Sequence, residues 1–175
     1  MDSILIPVER ARKLKGEPAA IKKISKLCGG CKIIMVTEGT IELEGEPYAE
    51  FSAKGVLAAF GRGFDVDVAA KLVENDYYFT TKDIGHLFGS SKRVMQVKAR
   101  IIGENGRTKR YIEEVTGARI SVYGDTVSFI GTIDEITEAE AAMDTLIDGG
   151  THKLAYMRME AAHRKNKAQR AMPGF

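Results

Sequence analysis

Two cysteines in 175 residues, Cys28 and Cys31, are too few for a disulfide scaffold. Their CxxC spacing has no second pair, and His86, His152 and His163 stand at no distance that would complete the four ligands of a structural zinc. A thioredoxin-like pair would open a helix after a strand, whereas this one closes a helix. Two small residues in a turn are the expectation, with a zinc or redox site as the alternative. Long apolar runs are also missing, since nothing approaches the roughly 18 residues of a membrane span. The start MDSILIPVERARK has no charged leader, apolar stretch and small-residue cleavage site in sequence, so a cytoplasmic location is expected. No Ser/His/Asp order, dinucleotide fingerprint or phosphate loop occurs. Neither a catalytic residue nor a cofactor or metal is expected, and the protein is read as a non-enzyme. The carboxylates Glu113, Glu114, Asp134, Glu135, Glu138 and Glu140 have the spacing of solvent-facing helix surfaces.

Charge of one sign is scarce as well, with 26 Lys and Arg against 24 Asp and Glu. Its distribution is uneven. Lys92, Arg93, Lys98, Arg100, Arg107, Lys109 and Arg110 face one acid, Glu104, in the stretch 92–110. A second basic cluster covers 153–170, and acids crowd 134–148. Basic patches of this kind are the electrostatic footprint of nucleic-acid binding, with a solvated helix face as the plain alternative. A hydrophobic fraction of 44% and a charged fraction of 29% are those of a folding chain, whose length suits one domain or two modules of about 80 residues.

An internal repeat favours two modules. Lys13–Val36 and Ile101–Val122 both run from a basic helical lead-in through a Gly-containing turn into an amphipathic helix, then a Gly and a β-branched strand. An offset of 87 aligns Gly16-Glu17 with Gly103-Glu104 and Cys31 with Ala118. An offset of 88 aligns Leu14 with Ile102, Ile24 with Ile112 and Leu27 with Val115, and is preferred because it keeps the helix faces in phase. Each half reads as strand, helix, Gly turn, helix, strand, strand, helix. In the first half, Glu38-Gly39 joins two strands, Pro47 opens a helix to about Phe60, and Gly61–Phe64 is the expected boundary, with Asp65 capping the helix that follows. In the second, a strand at 77–84 leads through an excursion at 85–90 to helices at 91–102 and 107–116. Strictly alternating strands at 119–123 and 126–130 then flank Gly124-Asp125. A helix covers 134–147, and a closing helix follows from Leu154, its apolar side being Leu154, Met157 and Ala161. The fold class is α+β, with helices on one face of three-stranded antiparallel sheets.

The turn Gly103-Glu104-Asn105-Gly106 stands between two amphipathic helices. Glycines three apart let the backbone take positive φ and lie close to a ligand, and the helix that follows begins with unpaired amides and the positive end of its dipole. Arg107, Lys109 and Arg110 in its first turn oppose that dipole, and make sense if a phosphate backbone crosses the turn.

The stretch IIGENGRTKRYIEEVTGARISVYGDTVSFIG resembles the KH domain, which binds single-stranded nucleic acid by clamping about four nucleotides at its GxxG loop. With a first half lacking GxxG, the approach YYFTTKDIGHLFG and the closing DGGTHKLAYMRME, the whole chain is similar to a family of archaeal ribosome assembly proteins, counterparts of the eukaryotic partner of Nob-one. The resemblance implies two tandem type I KH-like modules: 1–63 with a degenerate loop, a linking helix at 64–76, 77–150 with GxxG, and a basic C-terminal helix and tail at 151–175. It implies single-stranded RNA binding at the 3′ region of small-subunit ribosomal RNA. The endonuclease that trims that end and the initiation factor two alpha subunit are the protein partners it suggests. Carried over, Gly103 and Gly106 allow close approach, Glu104 and Asn105 form the crest, Arg107, Lys109 and Arg110 hold phosphates with Lys98 and Arg100 as flanking cations, and Ile102, Ile112, Arg119, Ile120 and Ser121 floor or edge the base groove. The family commonly has Lys or Arg at the crest, so here backbone amides and flanking cations must supply the attraction. A protein-interaction adaptor with weak RNA binding is the alternative function. In the first half Pro18 removes an amide that a phosphate would use, which points to protein contact or packing.

Overall fold

The computed structural model describes residues 2–171. They form two compact units, the division falling between Phe79 and Thr80.

The first unit runs β1 (Asp2–Leu5), α1 (Val8–Lys15), α2 (Pro18–Leu27), β2 (Lys32–Met35), β3 (Thr40–Glu44) and α3 (Pro47–Gly61). A single helical turn, α4 (Val66–Ala69), then continues as a 3-10 turn to Val73. Proline stands at the first position of both α2 and α3, where its missing N–H costs nothing. The central strand β3 is antiparallel to both neighbours, with Ile41 beside Ile4 and Leu43 beside Ile33. Ile41 and Leu43 are fully buried, as are Leu14, Ile24, Leu57 and Phe60. Arg10 closes the C-terminal end of α3: it donates to the carbonyls of Phe60 at 2.8 Å and Phe64 at 2.6 Å while its guanidinium lies 4.0 Å over the Phe60 ring. Residues 64–73 belong to this unit, with Phe64 and Ala69 buried, so the stretch read as a linking helix packs on the first module. Asp65 stands at the N-terminal boundary of α4 without a side-chain cap and pairs with Lys13 at 3.4 Å.

The second unit comprises most of β4 (Tyr78–Asp83), then α5 (Ile84–Phe88), α6 (Ser91–Ile102), a 3-10 turn at Glu104–Gly106, α7 (Arg107–Thr116), β5 (Arg119–Tyr123), β6 (Thr126–Gly131), α8 (Ile133–Ile147) and α9 (His152–Ala171). The sheet order is β4-β6-β5, and the β5–β6 hairpin places Ile120 beside Phe129 and Val122 beside Val127. Three expectations change. The excursion at 85–90 contains a helix, α5, started by the Asp83 carboxylate accepting from His86 N–H at 2.9 Å. The strict alternation of β6 is absent in burial, since all six residues are buried in this central strand, and the inward hydroxyl of Ser128 is satisfied by Thr81 Oγ1 at 3.0 Å. The packed side of α9 is turned from the predicted one: Ala155 and Met159 are fully buried, while Leu154 and Met157 are exposed.

The cause lies on α8. Glu138 is buried there, and α9 supplies its partners, His163 Nδ1 at 2.7 Å and Asn166 Nδ2 at 2.9 Å. Residues 155, 159, 163 and 166 share one stripe, so satisfying a buried acid fixes the rotation of the helix. The expectation of solvent-facing carboxylates therefore fails at three positions. Glu138 is this buried acid, Glu135 completes a capping box with Thr132 at the start of α8, and the Glu113 side chain is only 13% exposed.

Burial also settles the repeat. Leu14 and Ile101 are the fully buried residues near the ends of α1 and α6, an offset of 87, whereas Ile24 and Ile112 correspond at 88. Cys31 and Ala118, both fully buried, return to 87. Leu14 therefore matches Ile101 rather than Ile102. The second copy has one residue more inside its Gly turn, and the first has one more in Cys28–Cys31.

Candidate nucleic-acid interface

The added residue shapes the turn. Gly103 ends α6 at φ 73° and ψ 172°, Asn105 follows at φ 52°, and Gly106 at φ 74° opens α7. Three positive φ values in four residues double the chain back in a way that side chains resist. The two glycines do different work. A Cβ at Gly103 would lie 2.2 Å from Thr108 Oγ1 and 2.8 Å from the Thr108 amide nitrogen, so its bareness lets the turn pack on its own helix. A Cβ at Gly106 would meet nothing within 4 Å. Gly106 is the uncovered main chain, and α7 begins there without a side-chain cap. Glu104 and Asn105 form an exposed crest. Arg110 reaches back to donate to the Asn105 carbonyl at 2.8 Å, bracing the turn while its charge stays at the surface.

The remaining predicted residues divide. Arg107 is exposed beside the turn. Lys109 pairs with Glu113 at 3.0 Å, and Glu113 also accepts from the Ile120 amide at 2.8 Å and lies 3.8 Å from Arg119. Glu113 thus ties α7 to β5, and Lys109 is partly committed to it. Lys98 donates to the Gly124 carbonyl at 2.6 Å, bridging α6 to the β5–β6 turn. Arg100 donates to the carbonyls of Gly149, at 3.1 Å, and Gly150, while its own carbonyl lies 3.0 Å from His152 Nε2. That side chain fastens the start of α9 rather than facing outward. Ile112 and Ile120 lie in the core, below any groove surface, while Ile102 and Ser121 are half-buried and Arg119 is exposed. Thr108 and the tyrosine pair Tyr111–Tyr156 were not singled out from the sequence, and Glu113 was read there only as a solvent-facing carboxylate. Only the i, i+4 spacing of Lys109 and Glu113 offered a sign.

The corresponding turn of the first unit is ordinary. Gly16 is right-handed at φ −73°, and the Glu17 amide is bonded to the Leu14 carbonyl. Near it, Asp65 pairs with Lys13 and Asp67 with Lys23, which engages two of the local cations. The balance of the units agrees: 11 Lys and Arg against 12 Asp and Glu up to Phe79, and 15 against 12 beyond it. Cys28 and Cys31 are free and buried, and burial pushes the Cys28 thiol up to about 11, a state suited to packing and not to nucleophilic or redox chemistry. Among the described residues no cluster of His, Cys, Asp and Glu has the arrangement of a metal site, and no helix is long and apolar enough to cross a membrane.

Residues 78–164 match the family described as eukaryotic type KH-domain, KH-domain type I, in the form found as the second KH domain of PNO1. A KH domain-containing protein of Methanocaldococcus jannaschii is 33% identical over 97% of this chain and 77% of its own length. The pre-rRNA-processing protein PNO1 of Chaetomium thermophilum is 29% identical, over 94% of this chain and 67% of its own. Among solved structures, Dim2p from Pyrococcus horikoshii matches with a TM-score of 0.81 and 31% identity, covering 91% of this chain and 98% of that one. The a/eIF2alpha–aDim2p–rRNA complex from the same organism matches with a TM-score of 0.80 and 32% identity, covering 94% of each chain.

Proposed function

We propose a single-stranded RNA as the ligand from one premise: the chain belongs to the KH-domain family of PNO1 and its archaeal counterparts, ribosome assembly proteins that bind RNA. Within that family reading, this chain binds the 3′ region of small-subunit ribosomal RNA in the cytoplasm and has no catalytic step of its own. The observation that carries it is the bare main chain at Gly106, opening an uncapped helix with Arg107 and Arg110 beside it. The N–H groups of Gly106 and Arg107 already bond the carbonyls of Gly103 and Glu104, so a phosphate resting there meets the positive end of the helix dipole, two guanidinium groups and the amides that follow in the first turn of α7. The complex of a/eIF2alpha, aDim2p and rRNA supports an initiation factor two alpha subunit as a protein partner. The endonuclease that trims the RNA end is proposed as a second.

Gly106→Asp tests the site. Its side chain enters open space and puts a carboxylate where the phosphate would lie, whereas the same change at Gly103 would strike Thr108 and disturb the fold. With RNA ending in the small-subunit 3′ sequence, the folded variant should bind at least roughly tenfold more weakly, the loss of one or two charge-assisted hydrogen bonds, with a melting temperature only a few degrees lower from the left-handed φ. Full affinity in a folded variant would remove the turn from the mechanism. A protein-interaction adaptor is the second reading, favoured by the acidic crest at Glu104 and the internal engagement of Lys98, Arg100 and Lys109. Partners recovered from lysate after nuclease treatment, with no RNA enriched, would decide for it.

A further inference from the structure

On α7, residues 108, 112 and 116 turn into the core, and 109 and 113 turn toward β5. Arg107, Arg110, Tyr111 and Glu114 occupy a third side, at i, i+3, i+4 and i+7. There they line a cavity of about 450 Å³, closed opposite by Tyr156 of α9. The Tyr111 and Tyr156 rings pack edge to face at 4.6 Å, and Tyr111 donates to Glu160 at 3.1 Å, a bond that raises its pKa and fixes its ring. Arg110 belongs to both places, lining the cavity while its guanidinium holds the Asn105 carbonyl of the turn. The side chains of Arg107 and Glu114 have no partner among the described residues.

We infer that this cleft is a second nucleotide subsite, which takes the base and phosphate next to those resting on the Gly turn. The inference depends on RNA being the ligand of the turn. Its size is within the range of small-ligand pockets, and its chemistry is that of an unstacked nucleotide: aromatic surface for the base, guanidinium groups for the phosphate and a carboxylate acceptor. Glu114 accepts from an exocyclic amino group and finds none on uracil, so the subsite prefers an amino-bearing base, with cytosine as the probe. Because Arg110 braces the turn and lines the cleft, one end of a strand held at the turn reaches the outer side of α7 and α9.

The test uses the full chain with an RNA of about four nucleotides, enough to fill the turn, and with RNAs lengthened by a cytosine or a uracil at either end. Lengthening at one end by cytosine should strengthen binding about tenfold, the scale of one base stacked on an aromatic ring. Tyr156→Ala should abolish that gain and leave the short RNA bound as before. Should Tyr156→Ala fail to fold by circular dichroism, Tyr156→Leu, which keeps the packing bulk, gives the same reading. Glu114→Gln, at an exposed position, should keep the gain but narrow the cytosine preference over uracil. If neither end strengthens binding, or the gain survives the Tyr156 substitution in folded protein, the subsite is wrong while the turn stands. If the short RNA does not bind at all, the reading of the turn falls and this one with it.

Discussion

Gly103 and Gly106 look alike in the sequence and separate only in three dimensions. Gly103 sits at φ 73° and ψ 172°, a region nearly confined to glycine, and faces Thr108 at clashing distance. Gly103→Ala should therefore cost about 2–3 kcal/mol, through strain plus displacement of Thr108. Gly106→Ala meets no atom and should cost about 1 kcal/mol for its left-handed φ alone. Denaturant unfolding of both variants checks the order, and the reverse order would mean that Thr108 does not support the turn. The motif itself was legible because two glycines, flanking cations and amphipathic helices coincide. The division of labour was not, because it depends on a threonine five residues downstream. For the same reason Arg100 read as a flanking cation of the RNA site: its charge is visible in sequence, but the carbonyls of Gly149 and Gly150 that hold it lie far along the chain.

Helix boundaries followed from local chemistry: proline opens α2 and α3, the Thr132 capping box opens α8, and glycine ends α6 and α7. Rotation did not. In α9 a count of apolar residues puts Leu154 and Met157 inward, yet the contact with Glu138 puts Ala155, Met159, His163 and Asn166 there. A buried acid on one helix is invisible to the pattern of another. Glu138→Ala removes the acceptor of two hydrogen bonds and leaves space behind, and should destabilise the second unit by about 1–3 kcal/mol. Amide exchange should quicken mainly over residues 160–171. Uniform exchange along α9 in the variant would show that the apolar contacts alone set its docking.

For the whole molecule, the number of cations that meet RNA sets its response to salt. Six basic residues were candidates from the sequence: Lys98, Arg100, Arg107, Lys109, Arg110 and Arg119. In the structure Lys98 and Arg100 are fastened to carbonyls of other elements and Lys109 to Glu113 at 3.0 Å, leaving Arg107, Arg110, whose bond to the Asn105 carbonyl lies within the turn itself, and the exposed Arg119, 3.8 Å from Glu113. For single strands log K falls with log salt at about −0.7 per neutralised phosphate, so a slope near −2 is expected, and about −4 would mean that all six engage. Filter binding across a salt series distinguishes the two. That the chain is a doubled module was apparent from its repeat, whereas the place of the extra residue emerged only from burial, since sequence alignment spreads one insertion over the whole helix. That insertion has a wider meaning. The chain carries its own control: one copy of the scaffold with the shorter turn and a right-handed Gly16, and another in which one more amino acid accompanies three positive φ values. The loop is one unit longer in the second copy and the Cys28–Cys31 turn one unit longer in the first, while the two sheets keep the same strand order.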